Sequence, residues 1–223
     1  MSQKTLIFSV EGQSEEFFVK GTLAPYFTQL GIYCRTIKLG EARSQRTGGI
    51  KGIMDCVMEL RTIRHNKANR NAAITTMYDF ADINWEKEGL VFEKGSSIST
   101  KAEKAANLLK SQTGFPDRFI PYFQMHQFES LLFSNPSVIQ DIFQGKETAI
   151  EKLTVISNEF GNNPEAINSN NKPSYRIEEA LGIPTKSFKG KTLANIVGRI
   201  GLESLRSHCL HFNQWISQLE QIQ

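Results

Sequence analysis

The chain has 223 residues, 39% hydrophobic and 22% charged, with neither Pro nor Gly dominant, which is the ordinary balance of a soluble globular protein. That length buries one sizeable core with an appended subdomain, or two small domains. The 26 Lys plus Arg against 23 Asp plus Glu leave a net charge of +3, too small to mark the whole chain as a polyanion binder. No apolar run reaches the ~18 residues of a membrane span. The opening segment, MSQKTLIFSV, is too short in apolar residues for a signal peptide, so a cytoplasmic location is the expectation. Cys34, Cys56 and Cys209 are odd in number, far apart and without metal-ligand spacing, which excludes a disulfide scaffold and argues against zinc.

Thr5 to Val10 is an apolar run rich in β-branched and aromatic residues that stops at Glu11-Gly12, a first strand. Phe17, Phe18, Leu23 and Phe27 recur at near-helical spacing and predict a helix from about Ser14, its N-cap, to Leu30, ended by Gly31. Ile32 to Leu39 alternates as a second strand. After Gly48-Gly49, the stripe Ile50, Ile53, Met54, Val57, Leu60 and Ile63 marks a second helix. Ala72 to Tyr78 reads as a third strand, stopping at Asp79. Ile83 to Ser99 reads as a loop and Lys101 to Lys110 as a helix. Arg118 to Gln124 fits a fourth strand, with Pro121 favouring an edge or bulge. His126 to Phe133, Pro136 to Phe143 and Glu147 to Phe160 look helical. An Asn-rich loop from Gly161 to Pro173 and further helices follow. The pattern predicts an α/β protein: a parallel, Rossmann-like sheet with helices on both faces, residues 1–133, and a mainly helical C-terminal part, 134–223, packed on it.

Ligands of open α/β sheets bind at the carboxyl ends of strands. Glu11 follows the first strand, Asp79 the third, and His126 with Glu129 the fourth, so side chains distant in sequence could converge at one rim. Converging carboxylates suit Mg²⁺ or Mn²⁺, which also relieves their mutual repulsion. Each residue has a plainer reading. Glu15 and Glu16 sit in a first helical turn, where the macrodipole favours acids. Glu11-Gly12 fits a turn, and Asp79 and Asp82 fit a loop. His126 at a helix start is more often a hydrogen-bonded structural histidine. Glu129 lies among Phe128, Leu131, Leu132 and Phe133, and an acid there must be paired if buried.

Nine Lys or Arg against three acids fall between Arg35 and Arg70, including Arg43 and Arg46. A second basic stretch, Lys172 to Arg199, contains Lys172, Arg176, Lys189 and Lys191. Both are candidate phosphate contacts for DNA or RNA without base-specific readout, and both also fit a solvated surface. A P-loop, a G-x-S-x-G elbow and a recognisable cysteine nucleophile are missing.

Val10-Glu11-Gly12-Gln13-Ser14-Glu15 resembles the V-E-G-x-T-E opening of Toprim-like domains, and Thr76-Met77-Tyr78-Asp79 the later strand that delivers an aspartate. Ile120-Pro121-Tyr122 with His126-Gln127-Phe128-Glu129-Ser130-Leu131-Leu132-Phe133 resembles the H-E-F-E-A-L-L-F box of the bacterial family called domain of unknown function 4276. Glu165 to Asn168, Pro173 to Ile177 and Cys209 to Trp215 also resemble blocks of that family, so the likeness covers nearly the whole chain.

The resemblance implies a Toprim fold related to the overcoming-lysogenization-defect nucleases, with Mg²⁺-dependent phosphodiester chemistry. Glu11 then matches the first-motif glutamate, Glu15 the second acid of the related nucleases, and Asp79 the first aspartate. Two departures stand out. The usual D-x-D is Asp79-Phe80-Ala81-Asp82 here, which leaves Asp82 an open choice as second ligand, and H-E-F-E has become His126-Gln127-Phe128-Glu129. The resemblance further implies an AAA-type ATPase partner in bacterial anti-phage defence.

The leading expectation is a metal-dependent nuclease or nuclease subunit. Glu11 and Asp79 hold the ion, while Glu15, Asp82, Glu129 or His126 completes the shell or acts as acid or base. The alternatives are a non-catalytic effector or sensor docking on an ATPase, and phosphoryl transfer on a small nucleotide. The pattern is silent on oligomeric state.

Overall fold

The structure, a computed structural model, describes residues 4–43, 50, 52–115, 117–167 and 171–222. Gly48-Gly49 and Arg46 lie outside them.

Strand β1 (Lys4–Val10) is followed by α1 (Gln13–Phe18), a π-helical turn (Val19–Leu23) and α2 (Ala24–Gln29). The single helix expected from Ser14 to Leu30 is therefore interrupted. Pro25 has no N–H to donate, and its ring crowds the preceding turn. The chain widens there, and the amide of Ala24 reaches back to the carbonyl of Val19. Gly31, with φ of +75°, ends the helix as expected. β2 (Ile32–Lys38), α3 (Ile53–His65) and β3 (Ala73–Asp79) follow. α4 (Ile98–Thr113) is longer than the expected Lys101 to Lys110 because Ser97 caps its N-terminus and Gly114 closes its C-terminus.

The fourth strand is split in two around Pro121-Tyr122, as β4 (Phe119–Ile120) and β5 (Phe123–Gln124). Thr76 spans the gap: its Oγ1 accepts from the amide of Tyr122 and donates to the same residue's carbonyl, both at 2.8 Å. All pairings are parallel, in the order β2-β1-β3-β4, with β5 also beside β3.

The segments Phe128–Ser134 and Pro136–Asp141 are helical as expected, wound as 3₁₀ helices, and His126 precedes them with φ of +67°. Further on lie α5 (Glu147–Glu159), α6 (Pro173–Leu181), α7 (Lys191–Ile200), α8 (Leu202–His208) and α9 (Leu210–Glu220).

Alternation along β1 decides what each face of the sheet buries. Leu6, Phe8 and Val10 face a core built with α1, α2 and the helices after residue 133. Ile7, with Ile74 and Tyr78 of β3, faces α3 and α4. The first core is continuous across residue 133: Tyr122 stacks on Trp215 at 4.1 Å, and the Trp215 indole donates to Thr75 Oγ1 at 2.7 Å. Each large apolar side chain fully buried here contributes about 1.5–3 kcal/mol before entropy is counted.

The connection leaving β1 runs over the first face and the one leaving β3 over the second. These adjacent strands therefore form a topological switch point, and their carboxyl ends open a crevice between the diverging connections. No helix among the described residues is long and apolar enough to cross a membrane.

Candidate metal centre

Glu11, one residue past β1, points across the crevice to β3. Its Oε2 accepts the amide of Asp79 at 2.9 Å, tying the two strand ends together. Asp79 ends β3, and the 3₁₀ turn Phe80–Asp82 follows at once. Carboxylate oxygens of Glu11, Asp79 and Asp82 all lie within 4.8 Å of one another.

Gly12 lets a fourth acid approach. Its amide donates to Glu15 Oε2 at 2.9 Å, and a Cβ at this position would stand 3.2 Å from that same oxygen, tighter than an ordinary contact. This backbone-to-glutamate bond closes the start of α1. Ser14, expected as the cap, instead accepts the amide of Gly190 at 2.9 Å. That bond fastens the loop before α7 against α1, and Gly190 takes the left-handed backbone needed there, with φ of +72°. The preceding Lys189 meets Glu129 with Nζ 3.0 Å from Oε1. Glu129 is 3% exposed, so the partner required of an acid in an apolar run is present. On the other side Lys38, the last residue of β2, pairs with Glu16 at 2.7 Å.

A cavity of about 400 Å³ collects Glu11, Glu15, Asp79, Asp82 and Glu129 with Lys38, Lys189 and Gln127. Burial pushes Glu11 up to about 8, and repulsion from Asp82 and Glu15 adds to this against the Asp79 hydrogen bond. Burial raises Glu15 to about 7, with Glu129 repelling and the Gly12 amide opposing. Asp79 is held well above the usual carboxylate range, first by burial and then by Glu11, Glu15, Glu129 and Asp82. Burial tends to lower Lys189, but Glu129 carries it upward.

A metal fits this arrangement on an independent count. Oδ1 of Asp79 is buried without a hydrogen-bond partner, one of two such side-chain atoms among the described residues, the other being Nε of Arg64. A buried, unsatisfied carboxylate oxygen costs free energy. A cation shared with Glu11 and Asp82 would satisfy it and remove the repulsion, and an all-oxygen donor set suits a hard divalent ion.

The structure brings Glu11, Glu15, Asp79, Asp82, Glu129 and Lys189 together. It does not do so for the remaining sequence candidates. His126 is not among the residues lining the cavity: its ring is largely buried, burial lowers it to about 4, and its carbonyl accepts the amide of Ala81 at 3.1 Å. The Arg43 guanidinium is committed to buried Glu59 at 3.1 Å and lies within 3.9 Å of Asp55. Arg176 sits over Phe160, and exposed Lys172 and Lys191 are not among the residues lining the cavity. Arg46 lies outside the described residues. Lys38 and Gln127 were missed as site residues. Lys38 was findable by the strand-end rule that singled out the acids.

Fold and site together define an α/β protein with an acidic, metal-competent crevice at the switch point of a parallel sheet. The chain belongs to the family described as domain of unknown function DUF4276, which its sequence matches over residues 10–220. No curated protein and no solved structure matches it.

Proposed function

We propose that the protein is a metal-dependent nuclease, or nuclease subunit, that hydrolyses phosphodiester bonds on a Toprim-like core. The convergence of Glu11, Asp79 and Asp82 around the unpartnered Oδ1 of Asp79 carries this reading. Mg²⁺ or Mn²⁺ would be held by these three carboxylates. When bound, it supplies Lewis-acid polarisation of a phosphoryl oxygen and neutralises charge in the crevice.

The chain's own residues divide the remaining work. Glu15, raised to about 7, is poised to take a proton from an attacking water near neutral pH. Glu129 keeps the ammonium of Lys189 at the cavity wall, where it faces an anionic substrate. Ser14 holds the Lys189 loop in place through Gly190. DNA or RNA as substrate, a cytoplasmic site of action and an AAA-type ATPase partner in anti-phage defence belong to the same proposal and rest on the resemblance.

Calorimetric titration with Mn²⁺, wild type beside Glu11→Ala and Asp79→Ala, followed by a cleavage screen on DNA and RNA, tests the reading. Saturable binding and cleavage that both substitutions abolish is the expected result. Metal affinity and cleavage that survive Glu11→Ala would overturn it.

A further inference from the structure

Asp82 reaches the metal cluster through a turn that is held from outside the site. The residues between it and Asp79 form a single 3₁₀ turn, Phe80–Asp82, too short to be stable alone. Two hydrogen bonds fix it. The amide of Ala81 donates to the carbonyl of His126 at 3.1 Å, and the Trp85 indole N–H donates to the carbonyl of Phe80 at 2.9 Å. Both groups that grip the turn from outside are themselves anchored. Trp85 is 7% exposed, stacks on Phe80 at 4.8 Å and meets Phe123 of β5 edge-on at 5.2 Å. His126 directly follows β5 by two residues and has φ of +67°, a left-handed backbone rare for a residue with a Cβ.

We infer that His126 and Trp85 are positioning residues, the carbonyl of His126 and the indole N–H of Trp85 holding the turn that sets Asp82 beside Glu11 and Asp79. This rests on the reading of those three carboxylates as a metal centre. His126 therefore works on the turn through its backbone, while its imidazole, buried beside the backbone of Glu165, takes no part in holding Asp82. The left-handed geometry predicts an unusual order of tolerance at position 126. Glycine and asparagine, which adopt positive φ readily, preserve the turn, whereas a β-branched residue resists that geometry and releases it.

The test uses the full chain with His126→Gly, His126→Asn, His126→Val and Trp85→Phe, with Asp82→Asn as the reference for loss of the third carboxylate. Mn²⁺ affinity is measured by calorimetry, and hydrogen exchange over residues 79–83 is followed in EDTA. His126→Gly and His126→Asn are expected within about 3-fold of wild-type affinity. His126→Val and Trp85→Phe should weaken it toward Asp82→Asn, by about 10–100-fold, the usual range for groups that orient metal ligands. Exchange should accelerate in the latter two only. Trp85→Phe keeps an aromatic ring in the same packing and so guards against a fold-level collapse in the valine variant.

Loss of affinity in His126→Gly and His126→Asn equal to that in His126→Val would assign the role to the ring and overturn the inference. So would wild-type affinity in both His126→Val and Trp85→Phe. A wild type that takes up no Mn²⁺ defeats the metal reading instead. The exchange arm then still judges the turn: unchanged protection in His126→Val and Trp85→Phe removes the positioning role.

Discussion

Replacing the ionisable side chain of Glu11 by a neutral one should stabilise the metal-free protein while destroying its affinity for metal. Glu11→Gln is the cleanest perturbation, because an amide oxygen can still accept the Asp79 N–H that Oε2 now accepts. In the fold, Glu11 is raised from 4.5 to about 8 by burial and by its acidic neighbours. A carboxyl raised on folding binds more protons folded than unfolded, so its stabilising effect is complete below about pH 4.5 and is lost as pH climbs toward 8. At neutral pH two and a half units of that interval have been crossed, at ~1.4 kcal/mol each, a ceiling of about 3.5 kcal/mol. Water entry and rotation of the side chain reduce this to roughly 1–2 kcal/mol. For a chain of this length, each kcal/mol shifts Tm by about 2–4 °C.

Thermal unfolding in EDTA at neutral pH should therefore place Glu11→Gln about 3–6 °C above wild type. At pH 4.5 the two should coincide, since the glutamate is already protonated. Adding Mn²⁺ reverses the order: at about 100 times its Kd the ion stabilises wild type by ~2.7 kcal/mol, and the variant gains nothing. A Glu11→Gln protein no more stable than wild type in EDTA, or one whose advantage is the same at both pH values, would refute the claim that burial and the neighbouring carboxylates disfavour ionised Glu11 in the fold.

Glu165 is 1% exposed and accepts the amides of His211 and Phe212 at 2.9 Å, closing the N-terminus of α9. Glu165→Ala should cost about 2–4 kcal/mol in urea unfolding, and a loss under ~1 kcal/mol would show that water replaces it. Thr76→Val keeps the shape but leaves the amide of Tyr122 without its partner and takes one of the donors from its carbonyl, so a loss of about 1–2 kcal/mol is expected by the same measurement. Five carboxylates face two lysines in the cavity, so an anionic dinucleotide should bind at least ~10-fold more tightly with Mn²⁺ than in EDTA. Equal affinity in the two buffers, followed by fluorescence anisotropy, would place anion binding elsewhere.

Much of the sheet was legible because β1 and β3 are buried on both faces and so read as short runs of apolar, β-branched and small residues without a charge until they stop. Glu11 and Asp79 were legible for the same reason, standing where those runs stop. The chain after residue 126 leaves a weaker imprint. Its apolar residues are dense enough to suit any helix, and a 3₁₀ stretch fits an apolar run as well as an α-helix does, so the helical character of His126 to Phe133 was legible and its 3₁₀ winding was not. Long-range partners leave still less trace. That Glu129 needs a cation followed from its apolar surroundings, but that Lys189 supplies it depends on the bond between Ser14 and Gly190. The blocks shared with the family prove to be mutual contacts. Ser174 donates to Gln127 at 2.9 Å, Glu165 holds His211 and Phe212, and Tyr122 stacks between His211 and Trp215.

The spacing that left Asp82 in doubt has a geometric resolution. In D-x-D on an extended strand, side chains two apart share a face because the period of a strand is two. Asp79 and Asp82 are three apart, which on a strand would point them to opposite faces. Yet β3 ends at Asp79, and the next three residues turn as a 3₁₀ helix, where positions three apart are eclipsed. A change of period from two to three at the strand end thus compensates for the extra residue and returns Asp82 to the side of Asp79. The compensation requires the turn to hold in a crevice whose acids repel it. The bond from Trp85 to Phe80 supplies that restraint from the second face of the sheet, and the bond from Ala81 to His126 supplies it from the chain just past β5.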